Sequence, residues 1–491
     1  MINNSLHHKG LILIIFFMLS CTLHFDKIFL GDDALIRIHD SFDAEISRFN
    51  STSILLKDHG NFSWFPTISG GMPAYAFHHP PYFILCLLLT FISPLLLNNA
   101  LAIVNSTFAG FGMYWFLKDY NKNNPGLSFF GGIIFFLITQ FDGFQSQTML
   151  VFNFAFPIFA MSLFSFTFDG SSIKLRIFSL VSLIFITSTS SPILTIPFFG
   201  LMSLLIVFIY DEENTLIKRG MIIKVIIFWF GYILINIPVI YSLFDYIPFA
   251  QRKYSSTGEI TTFAWNFLKR SYINSINHGL NSTLLFVMIG FFPLAYYSAR
   301  VRKVSLLIIV PFIIGTIFIP PIPQFLSGTI FQKMDLSHFY FLLPFSIVVF
   351  SITSLSESIS NNKVPLRLYC LCSAMGLLFP ILFSRWFFWN NYFDLMKTWL
   401  NIITFFSMLI IFLINNPYVI DINKMKKIGY SLLVMALFFN EWVFGLIFSN
   451  DGELLYNTMI KFRTSELTLA ALGLIFLIFY KNQKTVFSKL C

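Results

Sequence analysis

Two carboxylates three residues apart, Asp40 and Asp43, sit in a polar stretch that also carries His39 and Glu45. On a helix, a spacing of three places both acids on one face. Such a pair binds a divalent cation through hard oxygen ligands, or divides labour, one carboxylate accepting a proton while the other orients. A solvated helix face is the other reading of the same spacing. Farther along come Asn61-Phe62-Ser63-Trp64-Phe65-Pro66, the tight-turn sequence Gly70-Gly71-Met72-Pro73, and His78-His79-Pro80-Pro81-Tyr82. A Gly-Gly turn lets backbone approach a ligand closely. The histidines have no acidic partners at metal-site spacing, so the expected ligands are the carboxylates.

A cationic group follows in residues 245–280, with Arg252, Lys253, Lys269 and Arg270. Cations there suit an anion that gains charge during a reaction. Side chains that snorkel from an apolar layer to water explain them equally well. Arg385 lies in Ser384-Arg385-Trp386-Phe387-Phe388-Trp389. Its rings, like those of Trp64, Tyr75, Tyr254 and Trp265, form either a sugar-stacking platform or an interfacial aromatic belt. Asp142 and Asp335 are further acids available to complete a metal site with Asp43. Glu441, beside Asn440 and Trp442, interrupts an apolar run, and an intramembrane carboxylate is a functional candidate.

The elements that must hold these residues are set by composition. The 491 residues are 56% hydrophobic and 11% charged, and 65 of them are phenylalanine. Soluble domains carry about 25% charged residues, so no water-facing surface can be built from this inventory. Lipid offers no hydrogen bonds, which restricts spanning segments to helices or a closed barrel. The apolar runs, such as residues 149–168 and 305–319, are continuous rather than alternating, which selects helices. The expected fold is therefore all-α, a polytopic transmembrane helix bundle forming one integral membrane domain over residues 1–491. No zinc-type spacing or structural disulfide is expected among the five cysteines. Residues 18–21 have the outline of a lipoprotein cleavage box, but residues 11–25 read as an uncleaved first span.

Apolar runs fall near residues 11–30, 82–97, 100–117, 128–141, 149–168, 173–188, 192–210, 221–244, 281–298, 304–320, 336–355, 366–388, 398–415, 428–449 and 466–480. The net charge of +9 reads as topology, not as nucleic-acid binding, because no basic stripe interleaved with stacking rings lies outside the runs. Basic residues follow every second run, at Lys118 and Lys122, Lys174 and Arg176, Lys218 and Arg219, Arg300 to Lys303, Lys363 and Arg367, Lys424 to Lys427, and Lys481 to Lys489. That pattern marks cytoplasmic connectors and puts both termini inside. Either residues 82–117 cross only once, with Pro94 and Asn98-Asn99 breaking the segment, or Lys118 and Lys122 are external; the first is expected. About fourteen crossings result. Residues 31–81 and 245–280 become the first and second large external loops.

A first span, an acidic pair near the start of an external loop, a Gly-Gly-x-Pro turn and a Pro-Pro-aromatic re-entry resemble the class C membrane glycosyltransferases. The likeness is to bacterial members that decorate cell-surface polymers from polyprenyl-phosphate sugars, and it is strongest over residues 30–120. Asp335-Leu336-Ser337-His338-Phe339-Tyr340 adds to it, with His338 standing where relatives carry Arg. The resemblance implies a catalytic carboxylate in the first external loop. Asp40 matches as general base and Asp43 as second carboxylate or metal ligand, with Mg or Mn as the expected ion. It further implies a lipid phosphate held by Arg252, Lys253 and Arg270, with His338, Arg385, Trp64 and Tyr75 as further substrate contacts. The acceptor would be a glycan or glycolipid such as lipopolysaccharide O-antigen, at the outer face of the bacterial inner membrane. A transporter or flippase of lipid-linked sugars, centred on Glu441, is the alternative. A non-enzymatic assembly partner, indifferent to loss of either carboxylate, is the third reading.

Overall fold

The computed structural model describes residues 2–24, 28–29, 31, 47–59, 64–65, 72–73, 87–120, 125–138, 152–168, 170–188, 192–210, 215–246, 298–317 and 342–361. These form helices apart from one two-residue antiparallel pair. In chain order they are α1 (Ile2–Leu23), α2 (Ser47–His59), β1 (Trp64–Phe65), β2 (Met72–Pro73), α3 (Pro94–Trp115), α4 (Pro125–Ile138), α5 (Phe152–Thr167) and α6 (Ile173–Ser188). There follow α7 (Pro192–Ile209), α8 (Thr215–Ile235), α9 (Ile237–Tyr246), α10 (Ala299–Ile317) and α11 (Leu343–Asn361).

Local chemistry sets the helix starts. Ser93 caps α3 by accepting the Leu96 amide at 3.1 Å, with Pro94 at the first helical position, where a missing N–H costs nothing. Ser172 caps α6 and Ser298 caps α10 in the same way, through the amides of Leu175 and Val301. These caps extend the helices past the apolar runs, so Lys174, Arg176, Arg300, Arg302 and Lys303 lie inside first turns and not in connectors. α3 runs on through a wider π turn, Phe116–Tyr120.

Two expectations need correction. Asn98 and Asn99 do not break the segment: both lie buried within α3, and Pro94 begins the helix instead of interrupting it. The apolar run at 221–244 is not one helix. Asn236 separates α8 from α9, its side-chain amide donating to the Tyr232 carbonyl at 2.9 Å. Pro238 cannot supply the next helical N–H, which accounts for the break. Among the described residues, the one helix long and apolar enough to cross a membrane by itself is Pro94–Tyr120, 27 residues. At 1.5 Å per residue it is about 40 Å long. Shorter apolar helices surround it, among them Lys9–Thr22, Phe156–Thr167 and Thr195–Ile209.

α1, α4 and α5 pack on α3 through glycine. The Phe16 ring of α1 is fully buried between α3 and α4, where a Cβ on Gly110 would collide with it. A Cβ on Gly132 would lie 2.8 Å from the Gly110 carbonyl oxygen, and one on Gly112 would lie 2.9 Å from the Ile158 amide nitrogen. Missing side chains let these backbones approach closely, the device that joins helices where no hydrophobic force acts between them. Aromatic rings fill the space beyond: Phe116 stacks on Tyr120 at 4.4 Å and packs on Phe345 at 5.4 Å.

The polar and apolar residues are distributed inside out. Ser106, Thr107, Ser162, Thr187, Ser203, Ser346 and Thr353 are buried. Several of these satisfy themselves on their own helix, as Thr107 does on the Ile103 carbonyl and Ser203 on that of Phe199. Meanwhile Ile226, Ile227 and Phe230 on α8 and Ile177, Phe178 and Val181 on α6 are each about 60% exposed. A surface helix of a water-soluble bundle places charge on that face.

Substituting Gly112 with valine is expected to destabilise the fold by about 1–3 kcal/mol, because the obstructing atom is backbone and cannot turn away. Alanine at Gly200 or Gly231, where nothing lies within 4 Å of the added Cβ, is expected to leave stability unchanged or raise it slightly. Thermal unfolding of the purified variants measures both.

Candidate functional site

The helices have two chemically different ends. Lys9, near the start of α1, forms an ion pair with Asp119 at the end of α3. The Trp115 indole N–H donates to the same carboxylate at 2.6 Å, and the Lys9 ammonium lies 5.0 Å from the Trp115 ring centre. α1 and α3 are therefore antiparallel, and Lys9 and Lys118 share an end. Tyr120 brings two more helix termini there. Its hydroxyl donates to the Ile206 carbonyl at 2.6 Å, and its ring meets Phe164 and Tyr210, at the ends of α5 and α7. α6 and α8 begin a few residues later, and Lys224 of α8 donates to the Thr167 carbonyl at the end of α5. A cation there complements the negative end of a helix. Arg300, in the first turn of α10, pairs with Glu357 of α11 at 2.9 Å. Phe345 packs on Phe135 and Ile352 over Gly131, so α11 runs antiparallel to α4 and this pair also lies toward the Tyr120 end.

Lys118, Lys174, Arg176, Lys218, Arg219, Arg300, Arg302 and Lys303 therefore collect at one end with Lys9. The acids described beside them are Asp119 and Glu357.

The other end is polar, and the charged side chains described there are Lys57 and Asp58, exposed on α2. His24, at the end of α1 and 1% exposed, shares a hydrogen bond of 2.9 Å with Ser106. One turn earlier, Ser20 donates to the Ile103 carbonyl. Nearer the end, Asn99 donates through Nδ2 to the carbonyl of Gly31 at 3.1 Å. Gly31 has a φ of +51°, a conformation that suits glycine, and it marks the entry to the acid-bearing stretch. α2 lies across the start of α3, with Phe49 and Leu56 packed on Leu89 and Leu97. The Ser53 hydroxyl donates to the Leu89 carbonyl at 3.0 Å.

The sequence candidates relate to this end through chain connectivity. Asp40, Asp43, Tyr75, Asp142, Arg252, Lys253, Arg270, Asp335, His338, Arg385 and Glu441 lie outside the described residues. Helix ends on both sides of a segment are described for those holding Asp40, Asp43, Asp142, Arg252, Lys253, Arg270, Asp335 and His338, whereas Arg385 and Glu441 follow the last described helix. The chain leaves this polar end before residues 32–46, 139–151, 247–297 and 318–341, and returns to it after the first, second and fourth of these. Trp64 is described in its backbone: it pairs with Pro73, and Phe65 with Met72, so the aromatic strand and the Gly-Gly-Met-Pro sequence are joined by a two-residue ladder. Among the described residues no group of three His, Cys, Asp or Glu side chains is placed to hold a metal ion.

Sequence reasoning missed α2 and the buried polar seam of Ser20, His24, Asn98, Asn99 and Ser106. The signals were present. Phe49, Thr52, Ser53 and Leu56 recur at helical spacing, and residues 20, 24, 99 and 106 each place a polar group on one face of an apolar helix.

Comparison with protein-family models, with curated proteins and with solved structures finds no match to this chain.

The Lys9–Asp119 pair fixes the register of α1 on α3, and it is only partly exposed, at 23% and 30%. Replacing each residue with alanine is expected to destabilise the fold, and the double variant to cost less than the sum. A coupling of about 1 kcal/mol is expected for groups in contact, read from a double-mutant cycle of unfolding.

Proposed function

We propose that this chain is a polytopic membrane glycosyltransferase of about fourteen crossings, moving a sugar from a polyprenyl phosphate to a cell-surface glycan or glycolipid. The observation that carries the reading is the segregation of charge along the bundle. Lysine and arginine gather at the end that the positive-inside rule assigns to the cytoplasm. The segments holding Asp40, Asp43, Asp142, Arg252, Lys253, Arg270, Asp335 and His338 all adjoin the opposite, external end. The apolar faces of α6 and α8 suit lipid, and a donor dissolved in lipid explains a catalyst built almost wholly of bilayer-compatible helices.

In this reading Asp40 takes the proton of the acceptor hydroxyl as its oxygen attacks the anomeric carbon. The bond from that carbon to the lipid phosphate breaks, and the phosphate leaves with an added negative charge. Arg252, Lys253 and Arg270 receive it, a role that preorganised cations fill in phosphate departure. Asp43, with Asp142 or Asp335, holds Mg or Mn if the reaction uses a divalent ion. Trp64, Tyr75 and Arg385 line the sugar, and His338 stands on the phosphate side. Both termini lie on the cytoplasmic side of a bacterial inner membrane.

The transporter reading keeps one structural observation in its favour. His24 is an ionisable side chain buried about halfway along the 27-residue helix it packs against, and such residues mark relays in transporters.

Two experiments test the proposal. Purified protein in lipid is expected to transfer label from polyprenyl-phosphate sugars to cell-envelope extract, and Asp40→Asn or Asp43→Asn to reduce this at least about 100-fold. Full activity in either variant removes that residue from the site, and no transfer by folded protein with any donor moves the reading to the flippase. Separately, reporter fusions after residues 122 and 214 are expected to report a cytoplasmic location, and fusions within 31–81 and 245–280 an external one. The reverse pattern would overturn the orientation.

A further inference from the structure

Two polar atoms at the external end are buried without a use inside the described fold. Asn99 is 2% exposed, and its Nδ2 donates to the Gly31 carbonyl. A carbonyl only accepts, so the amide orientation is set, and Oδ1 is left facing away. That oxygen is buried and has no hydrogen-bond partner among the described residues. The second atom is the hydroxyl of Thr52, fully buried on α2 and likewise without a partner there. Its case is sharper because most threonines inside these helices bond back to the carbonyl four residues earlier. Thr107, Thr167, Thr187 and Thr353 all do so, and Thr195 reaches the Thr187 carbonyl instead. Its neighbour Ser53 is satisfied by Leu89. Thr52 declines the local bond that its relatives take.

An acceptor withdrawn from water and left unpaired loses its hydration with no return, so native folds keep such groups for a ligand, a catalytic role or an ordered water. Thr52 lies on α2, the helix that follows the acid-bearing stretch, and Asn99 lies on α3, against whose start α2 packs through Phe49, Leu56 and Leu97. Asn99 comes five residues after Pro94, about 7 Å below the start of α3. A headgroup anchored in lipid reaches that depth. An amide oxygen only accepts and a hydroxyl both donates and accepts, so together they match sugar hydroxyl groups, whereas they offer a phosphate a single donor.

We infer that Asn99 and Thr52 form a subsite for the hydroxyls of a lipid-borne sugar, with Asn99 Oδ1 accepting from the ring. The subsite rests on the glycosyltransferase reading and adds to it which residues distinguish a sugar-loaded polyprenyl phosphate from the bare lipid phosphate. Asn99 also holds Gly31, so occupancy of the subsite is coupled to the root of the loop that carries Asp40.

The test is equilibrium binding to the full chain in lipid nanodiscs. The probes are polyprenyl-phosphate glucose, galactose and mannose, beside polyprenyl phosphate without a sugar. Wild-type protein is expected to hold at least one sugar-bearing probe more tightly than the bare phosphate. Asn99→Leu, and independently the isosteric Thr52→Val, are expected to weaken that probe about tenfold, as loss of one hydrogen bond to a desolvated acceptor does. Both are expected to leave bare polyprenyl phosphate within about twofold. Equal weakening of both probes would assign the two residues to packing, and no change in either would mean that they hold only water; each result overturns the subsite. A wild-type protein that never prefers a sugar-bearing probe overturns the glycosyltransferase reading itself, a result separable from the other two.

Discussion

Apolar surface does not tell the described helices apart, because their buried and their exposed faces are both largely apolar. What selects partners is how closely two backbones can come. Phe16 enters a slot that exists only because residues 110 and 132 have no side chain. With that ring seated, α1, α3 and α4 share one contact, and the antiparallel run of α1 along α3 follows. Gly112 then admits Ile158 and brings α5 against the same helix. α3 is thus the axis that α1, α4 and α5 share. Side chains elsewhere fill gaps, whereas these glycines determine which gaps exist.

Register along that axis is set by polar groups at three depths. The ion pair of Lys9 and Asp119 marks one level, the bond of His24 to Ser106 a second, and the bond of Asn99 to Gly31 a third. The bond of His24 to Ser106 is costly to break, since both partners are buried and neither finds water as a substitute. The spacing of the three levels converts a slippery contact between two apolar rods into a single alignment. The charged level stands at one end and the neutral levels toward the other, so one arrangement provides both registry and polarity.

Much of this was readable in the residues themselves. The helical class, the positions of α5, α6 and α7, and the shared side of Lys9 and Lys118 follow from continuous apolar runs and the placement of basic residues. α2 was not read as a helix because only Phe49 and Leu56 supply its apolar face, too few to stand out in a polar stretch. Asn98-Asn99 was misread as a break because asparagine is usually a turn former in water. Inside a bundle, the same amide is held by a partner on the neighbouring chain segment, and the helix continues. The wider π turn at 116–120 leaves no signature in periodicity, since a single added residue shifts the apolar pattern only once, at the end of the run. The chemistry-bearing residues of the loops were legible as types and spacings, and connectivity gathers most of them at one end. Their mutual geometry depends on backbone that spacing alone does not define.

That π turn has an evolutionary side. A turn of this kind holds one residue more than the regular helix around it, and such turns recur at functional positions. Here it follows Phe111, Trp115 and the glycines and itself holds Asp119 and Tyr120. Removing one residue would restore ordinary helix and swing everything downstream by about 100° around the axis. Asp119 would leave Lys9, and Tyr120 would leave Ile206. The turn therefore acts as an insertion site whose occupancy decides which helices the end of α3 can greet, and a lineage that gained or lost that residue would have reassigned its neighbours in a single step.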